Sequence, residues 1–327
     1  MKLQTLLLVC FFFSFSQVFS QEASDARLKE VADMTKKDTF GWATGGGLGL
    51  DLAGMGIANP RVGGGGGRFG IGGLGTLFAK RKEDKWYWDN AFSLQLSAQK
   101  LRSSDASLPR GFLKNLDVLR LTSRYGRKIS SNDKWFAAAD FFAQTLLLKT
   151  FQSNYLTAVN DSDKVVAKFL SPLQITFAPG IDFKPNPHLS FFYSPCGIQY
   201  ILVSDDNIAA LNIHGNDAGK NTFLGLGSEF KAAYNNKYFN DRLSVTNSLR
   251  LFSNYLDGPQ NVDVLFTNNF SIAIFKGLSL DLLAEYFYDN DVKVQKNFGS
   301  EDPAKLPYNG RGGQTTGAFL LKYSAIF

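Results

Sequence analysis

The chain is poor in the residues from which most active sites are made. It has two histidines and two cysteines among 327 residues. Cys10 lies in the first apolar stretch, so a chain cut after Ser20 keeps Cys196 alone and can form no internal disulfide. No Cys/His spacing suits a structural or catalytic metal. Hydrolysis through an activated serine needs a base beside it. The candidates are His188, in a short turn, and His214, in a long loop, where a solvated loop histidine is the simpler reading. A lipase of the outer-membrane phospholipase type would need such a histidine on the lipid face near the outer rim. Beyond the N-terminus no segment approaches the ~20 apolar residues of a membrane helix. No Pro/Ser-rich linker divides the chain. The modest basic excess, 35 Lys and Arg against 29 Asp and Glu, is scattered. It speaks against nucleic acid and suits anionic headgroups at a membrane surface.

Gly70, Gly72 and Gly75 have the spacing of a dinucleotide fingerprint. That motif needs a preceding parallel strand and a following helix. The pattern offers neither, so the glycines are read as allowing curvature and close strand approach, and no cofactor is implied. Asp205–Asp206 and Asp289–Asn290–Asp291 could offer hard oxygen ligands to a divalent cation. Ordinary turn chemistry accounts for them better.

At the N-terminus, Lys2 precedes an uncharged apolar stretch from Leu3 to Ser20. Val18 and Ser20 are small enough to precede a cleavage point, which predicts a signal peptide over 1–20 and a mature start at Gln21. Ser14, Ser16 and Gln17 break the run and no basic stop follows, which disfavours a membrane anchor. Val9 before Cys10 is not the small residue of a lipoprotein signal. Residues 21–41 are expected as a short, partly helical periplasmic segment, and 42–327 as one domain.

What the chain does have is aromatic residues, 14% of the total, with 30 phenylalanines and 31 glycines. Its mean hydropathy is nonetheless slightly below zero. Membrane-crossing strands need ~9–11 residues and alternate lipid-facing with lumen-facing side chains, so their average is mildly polar. The alternation is legible along the chain. Strand one is placed near Trp42–Ile57 and strand two near Arg68–Lys80. In strand three Trp86, Trp88, Asn90, Phe92 and Leu94 alternate with Tyr87, Asp89, Ala91 and Ser93. Strand four sets Leu119, Leu121 and Tyr125 against Arg120 and Arg124, and strand five sets Trp135 and Phe141 against Asp140. Strands six and seven fall near Leu173–Lys184 and His188–Val203, and carry Asp182 and Lys184. Strands eight to eleven oppose apolar runs to Glu229 and Lys231, to Arg250, to Asp263, and to Asp281 and Glu285. The last strand carries Phe319, Leu321, Tyr323 and Phe327 on one parity and ends in an aromatic residue. That is the form of a C-terminal insertion signal for outer-membrane barrels.

The fold expected is all-β: a transmembrane antiparallel up-and-down barrel of about twelve strands, an even number that leaves both chain ends on one side. Short connections alternate with long ones, as periplasmic turns alternate with extracellular loops. Trp42, Trp86, Trp88 and Trp135 all begin strands running the same way, which places them on the periplasmic rim as an interface girdle. A soluble β-sandwich would have no reason to put every tryptophan on one edge. Pro179 and Pro195 lie within strands six and seven, where a bulge is expected. The apolar parity switches after Pro195, from Leu189, Phe191 and Tyr193 to Ile198, Tyr200 and Leu202.

The inward charges expected are Arg120, Arg124, Lys184, Lys231 and Arg250 against Asp140, Asp182, Glu229, Asp263, Asp281 and Glu285. They need water or each other. A narrow, weakly selective diffusion channel for small solutes and a salt-bridged, non-conducting accessory or scaffold barrel both satisfy that need. A surface hydrolase is a distant third. The partners expected are outer-membrane lipid, the barrel-insertion machinery during biogenesis and other outer-membrane proteins.

Trp42-Ala43-Thr44-Gly45-Gly46, Lys85-Trp86-Tyr87-Trp88-Asp89-Asn90, Phe252-Ser253-Asn254-Tyr255 with Pro259-Gln260-Asn261-Val262-Asp263, and Tyr288-Asp289-Asn290-Asp291 resemble a Bacteroidetes-type outer-membrane barrel family. That family is catalogued as a domain of unknown function. The resemblance implies location and fold and brings no catalytic residues with it. The glycine run Gly63–Gly67 departs from the pattern.

Overall fold

The computed structural model describes residues 40–58, 67–102, 111–131, 133–153, 155–256, 258–288, 293–296 and 308–326. The signal peptide and most of the periplasmic segment expected from the sequence lie outside them, as do Asp289–Asn290–Asp291 and Phe327. Sixteen strands are described, in chain order. They are β1 (Gly41–Ala58), β2 (Gly67–Lys82), β3 (Trp86–Arg102), β4 (Leu113–Lys128), β5 (Trp135–Thr145), β6 (Thr150–Phe151), β7 (Val165–Ala167), β8 (Leu173–Asn186) and β9 (Leu189–Leu202). A four-residue helix, α1 (Asp206–Ala209), follows. Then come β10 (Thr222–Tyr238), β11 (Leu243–Asn254), β12 (Asp263–Phe275), β13 (Leu278–Tyr288), β14 (Lys293–Lys296), β15 (Tyr308–Arg311) and β16 (Gln314–Ile326).

Twelve of these close a barrel in the order β1-β16-β13-β12-β11-β10-β9-β8-β5-β4-β3-β2. Every pairing is antiparallel, and closure comes from β1 against β16, from Gly47↔Ile326 to Ala58↔Thr315. Closure leaves no free edge, so outside the bulges the backbone N–H and C=O groups of the wall pair strand to strand, as a structure crossing lipid requires. With strands ~4.8 Å apart and tilted ~40°, twelve of them enclose a wall roughly 24 Å across between backbones. Two small hairpins, β6–β7 and β14–β15, stand outside the barrel sheet in long connections. Gly70, Gly72 and Gly75 lie inside β2, paired antiparallel on both sides and followed by no helix. The fingerprint is accidental.

The period of two sorts side chains as the sequence predicts. Leu48 and Leu50 on β1, Phe69 and Ile71 on β2, Phe266 on β12 and Phe319 on β16 are exposed on the outside. Between them, Thr76, Ser93, Gln95, Thr267, Asn269 and Ser271 point inward and are buried. An apolar exterior around a polar interior is the inverse of a soluble domain and the rule for a barrel in lipid. The fold is thus a twelve-stranded transmembrane β-barrel. No helix among the described residues is long and apolar enough to cross a membrane, which does not bear on crossing by strands.

The two prolines disturb the wall together. Phe177 pairs with Ile198 and Ile181 with Tyr193, so three residues of β8 face four of β9. Against β10 the register likewise shifts between Gly227 and Glu229. The extra residue on β9 flips its facing, so that Phe192 and Ser194 point inward below the bulge and Ile201 above it. Side chains replace the lost ladder bonds: Ser194 Oγ donates to the Pro179 carbonyl at 2.8 Å, and Tyr255 Oη to the Pro195 carbonyl at 2.7 Å. Gly180 is required there, because a Cβ would stand 2.1 Å from the Tyr193 carbonyl oxygen. Cys196 is exposed beside the bulge and unbonded.

Candidate functional site

Long charged side chains collect on one side of the lumen. Arg124 Nε on β4 donates to Asp140 Oδ1 on β5 at 2.7 Å. Lys231 Nζ on β10 donates to the other oxygen, Asp140 Oδ2, at 3.1 Å, and lies 3.0 Å from Glu229 Oε2. Arg250 Nε on β11 completes the series on Glu229 Oε1 at 2.6 Å. The result is an alternating ladder, Arg124–Asp140–Lys231–Glu229–Arg250. Its central rung leaps from β10 to β5 past β9 and β8. Beneath it Ala138, Ala178 and Phe192 form a small apolar cluster, with the Arg124 guanidinium 4.9 Å from the Phe192 ring centroid.

A second cluster bridges β3 and β8. Tyr87 Oη donates to Asp182 Oδ2, and Lys184 Nζ lies 3.3 Å from the same oxygen and 3.5 Å from the Tyr87 ring centroid. Phe136 packs edge-on to Tyr87. Nearer the long-loop end, Arg120 is buried, bonded through Nε and Nη2 to Gln144 Oε1 and placed over Phe142. On the far wall Asp281 meets Lys322 Nζ of β16 at 2.8 Å and accepts from Ser271 and Ser279. Glu285 is buried on the same strand, and Asp263 stands half-buried at the β12 end.

All eleven charged candidates therefore sit on inward positions, but the structure divides them. Seven join the two clusters on β4 to β11, and Arg120, Asp263, Asp281 and Glu285 stand apart. Tyr87 and Lys322 were missed, although both lie on the inward parity of their strands. Looking for charges alone passed over the tyrosine. On the terminal strand the aromatic face is the stronger signal, and it masks the single lysine on the other parity. The Lys114–Asp117 ion pair was missed for a different reason. Asp117 shares the outward parity of Leu119 and Leu121, and the register shift opposite Ser97/Ala98 brings Lys114 onto that same face. There Asp117 accepts from the amides of Leu147 and Leu148, and Lys114 donates to the carbonyl of Leu148. The pair pins the base of the β5–β8 loop to the barrel. On β1 opposite, the described inward positions Ala43, Gly45, Gly47 and Gly49 carry nothing longer than a methyl and face Phe78, Thr76 and Leu74 across the β1–β2 pair.

Two long connections fold together into a cap. Val166 of β7 packs on Ile213, and Val165 joins Val203, Ile208 and Ala209. Asp205 caps α1 and pairs with Lys168, and this bond, with the amides of Ile208 and Asn207, holds its carboxyl below the usual range. His214 is buried, with Nε2 2.7 Å from the Val166 carbonyl, and burial pushes its imidazole down. That carbonyl can only accept, so Nε2 carries the proton. Held this way, His214 is a structural tie of the cap. Among the described residues no group of three metal-ligating side chains exists.

The tryptophans stand at the short-turn end of β1, β3 and β5. Trp42 packs near Trp88, with the Arg81 guanidinium over both Trp42 and Trp86. From Trp135 a row of stacked rings continues through Phe183, Phe191 and Phe230 across four neighbouring strands. Phe319, Leu321 and Tyr323 of β16 face outward and exposed.

Residues 57–151 match a family described as a protein of unknown function, DUF3078. No curated protein matches the chain. Among solved structures, an outer membrane channel from Pseudomonas putida F1 is 10% identical, with a TM-score of 0.43 over 88% of this chain and 98% of that one. The translocator domain of the autotransporter NalP from Neisseria meningitidis is 12% identical, with a TM-score of 0.39 over 93% and 95%. At such identities the fold rests on this chain's own strand pairing.

Proposed function

We propose that the chain is an outer-membrane barrel acting as a narrow diffusion channel for small hydrophilic solutes. It would be exported through a signal peptide at 1–20, with short turns in the periplasm and the cap outside. The observation that carries this reading is the asymmetry of the lumen. Long charged side chains brace the β4–β11 side among themselves, while β1 opposite offers Ala43, Gly45, Gly47 and Gly49. Gln95 adds support, being buried with neither amide atom bonded to protein. A buried amide needs a polar neighbour, and in a lumen that neighbour is water or a solute.

Reconstitution of the purified barrel in planar bilayers tests the channel. Discrete conductance steps are expected from wild type, larger in Lys231→Ala, where the cross-lumen rung is gone. A correctly folded barrel that passes no current would reject the reading.

A second reading, a non-conducting scaffold barrel, is favoured by the contacts that cross the lumen. Tyr87–Asp182, Arg124–Phe192 and Lys231–Asp140 each join strands three apart in the wall. It predicts silence in the same bilayers and steady co-purification with fixed outer-membrane partners.

A further inference from the structure

On β4 to β11 the inward cations Arg120, Arg124, Lys184, Lys231 and Arg250 outnumber the carboxylates Asp140, Asp182 and Glu229, and the two signs also differ in depth. The side chains of Lys231 and Arg250 keep 29% and 34% of their surface open, while Glu229 between them keeps 3%. Lys184 keeps 33% against 0% for Asp182. Arg124 keeps 26% against 16% for Asp140. In each pair the carboxylate lies in the wall and the cation lies in front of it. Three charges run against this order: the buried cation Arg120, and two acids, Asp89, half-exposed and the register partner of Arg124, and Asp263 at the opposite mouth.

Depth decides what a solute meets. Attraction falls with distance, and a charge recessed behind its counter-ion is both farther away and already engaged. Short aspartate and glutamate stems keep their heads near the backbone, whereas lysine and arginine reach several bonds farther into the lumen. The ladder, with three cations to two carboxylates and the carboxylates recessed, therefore presents a positive inner surface.

Arg124 is the most specific member. Its ion pair uses Nε, its plane is held over Phe192, Asp182 lies near enough to act on its charge, and it has no further hydrogen-bond partner among the described residues. Its terminal nitrogens remain as a rigid pair of donors, a geometry that matches two oxygens of a carboxylate or phosphate. We infer that the lumen selects small oxyanions, with Arg124 as the fork that binds them and Lys184 and Lys231 as flanking charges. For transport the inference rests on the channel reading; for binding it stands apart from it.

Reversal potentials across a potassium chloride gradient test selectivity. Wild type is expected to shift toward the chloride equilibrium potential, and Arg124→Gln to lose most of that shift. A potential at zero or on the potassium side overturns the inference and leaves the channel standing. If no current passes, calorimetric titration of the detergent-solubilised barrel with citrate decides. Binding that Arg124→Gln abolishes upholds the oxyanion site while the channel reading falls, and no binding sinks the inference. Arg124→Lys guards against misfolding: with an intact strand signal in circular dichroism, it should retain chloride preference but bind citrate more weakly.

Discussion

Lys231 donates to Asp140 at 3.1 Å although two strands separate theirs in the barrel wall. Both partners are shared, since Asp140 also pairs with Arg124 and Lys231 with Glu229. The rung is expected to stabilise the barrel by bracing β5 against β10. Residues sharing an ion-pair network couple by about 0.5–3 kcal/mol. A double-mutant cycle on Lys231→Met and Asp140→Asn, read by urea unfolding in lipid vesicles, should fall in that range. Strict additivity would mean that the rung braces nothing.

The bulge makes a sharper demand. At Gly180 an added Cβ meets backbone, the Tyr193 carbonyl, which cannot rotate away. Overpacking of this kind costs about 1–3 kcal/mol and sometimes more. Gly180→Ala should lower the unfolding midpoint accordingly. Gly317→Ala, where an added Cβ meets nothing within 4 Å, should leave it nearly unchanged. Equal effects at both sites would show that the close approach at the bulge is not real.

The stacked rings at the short-turn rim should act as a unit. Trp135 and Phe183 lie 4.2 Å apart between centroids, inclined by 27°. Aromatic pairs contribute about 0.5–1.5 kcal/mol beyond their burial. The coupling between Trp135→Ala and Phe183→Ala is expected within that range, and each single variant should also slow insertion into vesicles. Lipid could replace the ring contact fully, in which case the coupling would vanish.

The cap should loosen in acid. Burial lowers the His214 pKa, so below the unfolded value of about 6.5 the unfolded segment binds a proton that the folded cap refuses. Cap stability is thus complete above that pH and declines as pH falls through it. Asp205, whose folded pKa is depressed chiefly by its bond to Lys168, adds a loss in the same direction below about pH 3.9. Between pH 7.5 and 5.5 the histidine acts alone. The protection of the Val166 and Ile213 amides, corrected for the intrinsic pH dependence of hydrogen exchange, should fall over that interval in wild type and stay constant in His214→Gln. Identical pH dependence in both proteins would falsify the assignment.

Much of the wall was legible in advance because alternation is local. Trp86, Phe92 and Leu94 on one parity of β3, with Tyr87, Asp89 and Ser93 on the other, declare a strand and its two faces without reference to any neighbour. The parity change after Pro195 announced the bulge for the same reason. Lys114 escaped because its facing depends on a register shift against β3, which no single strand reveals, and Asp117 because its partners Leu147 and Leu148 lie in the β5–β8 loop. His214 was placed in a loop correctly, but its burial depends on β7 arriving from 48 residues away.

By itself, then, the order of residues determined how many strands cross, which side chains face lipid and which ends are short. These follow from a period of two and from turn chemistry, both written over a few consecutive positions. Only the closed tertiary structure decided that Lys231 reaches Asp140, and that Asp182 and Glu229 lie recessed while Lys184 and Arg250 stand forward. Those relations are set by closure, stagger and side-chain reach across strands far apart in the chain.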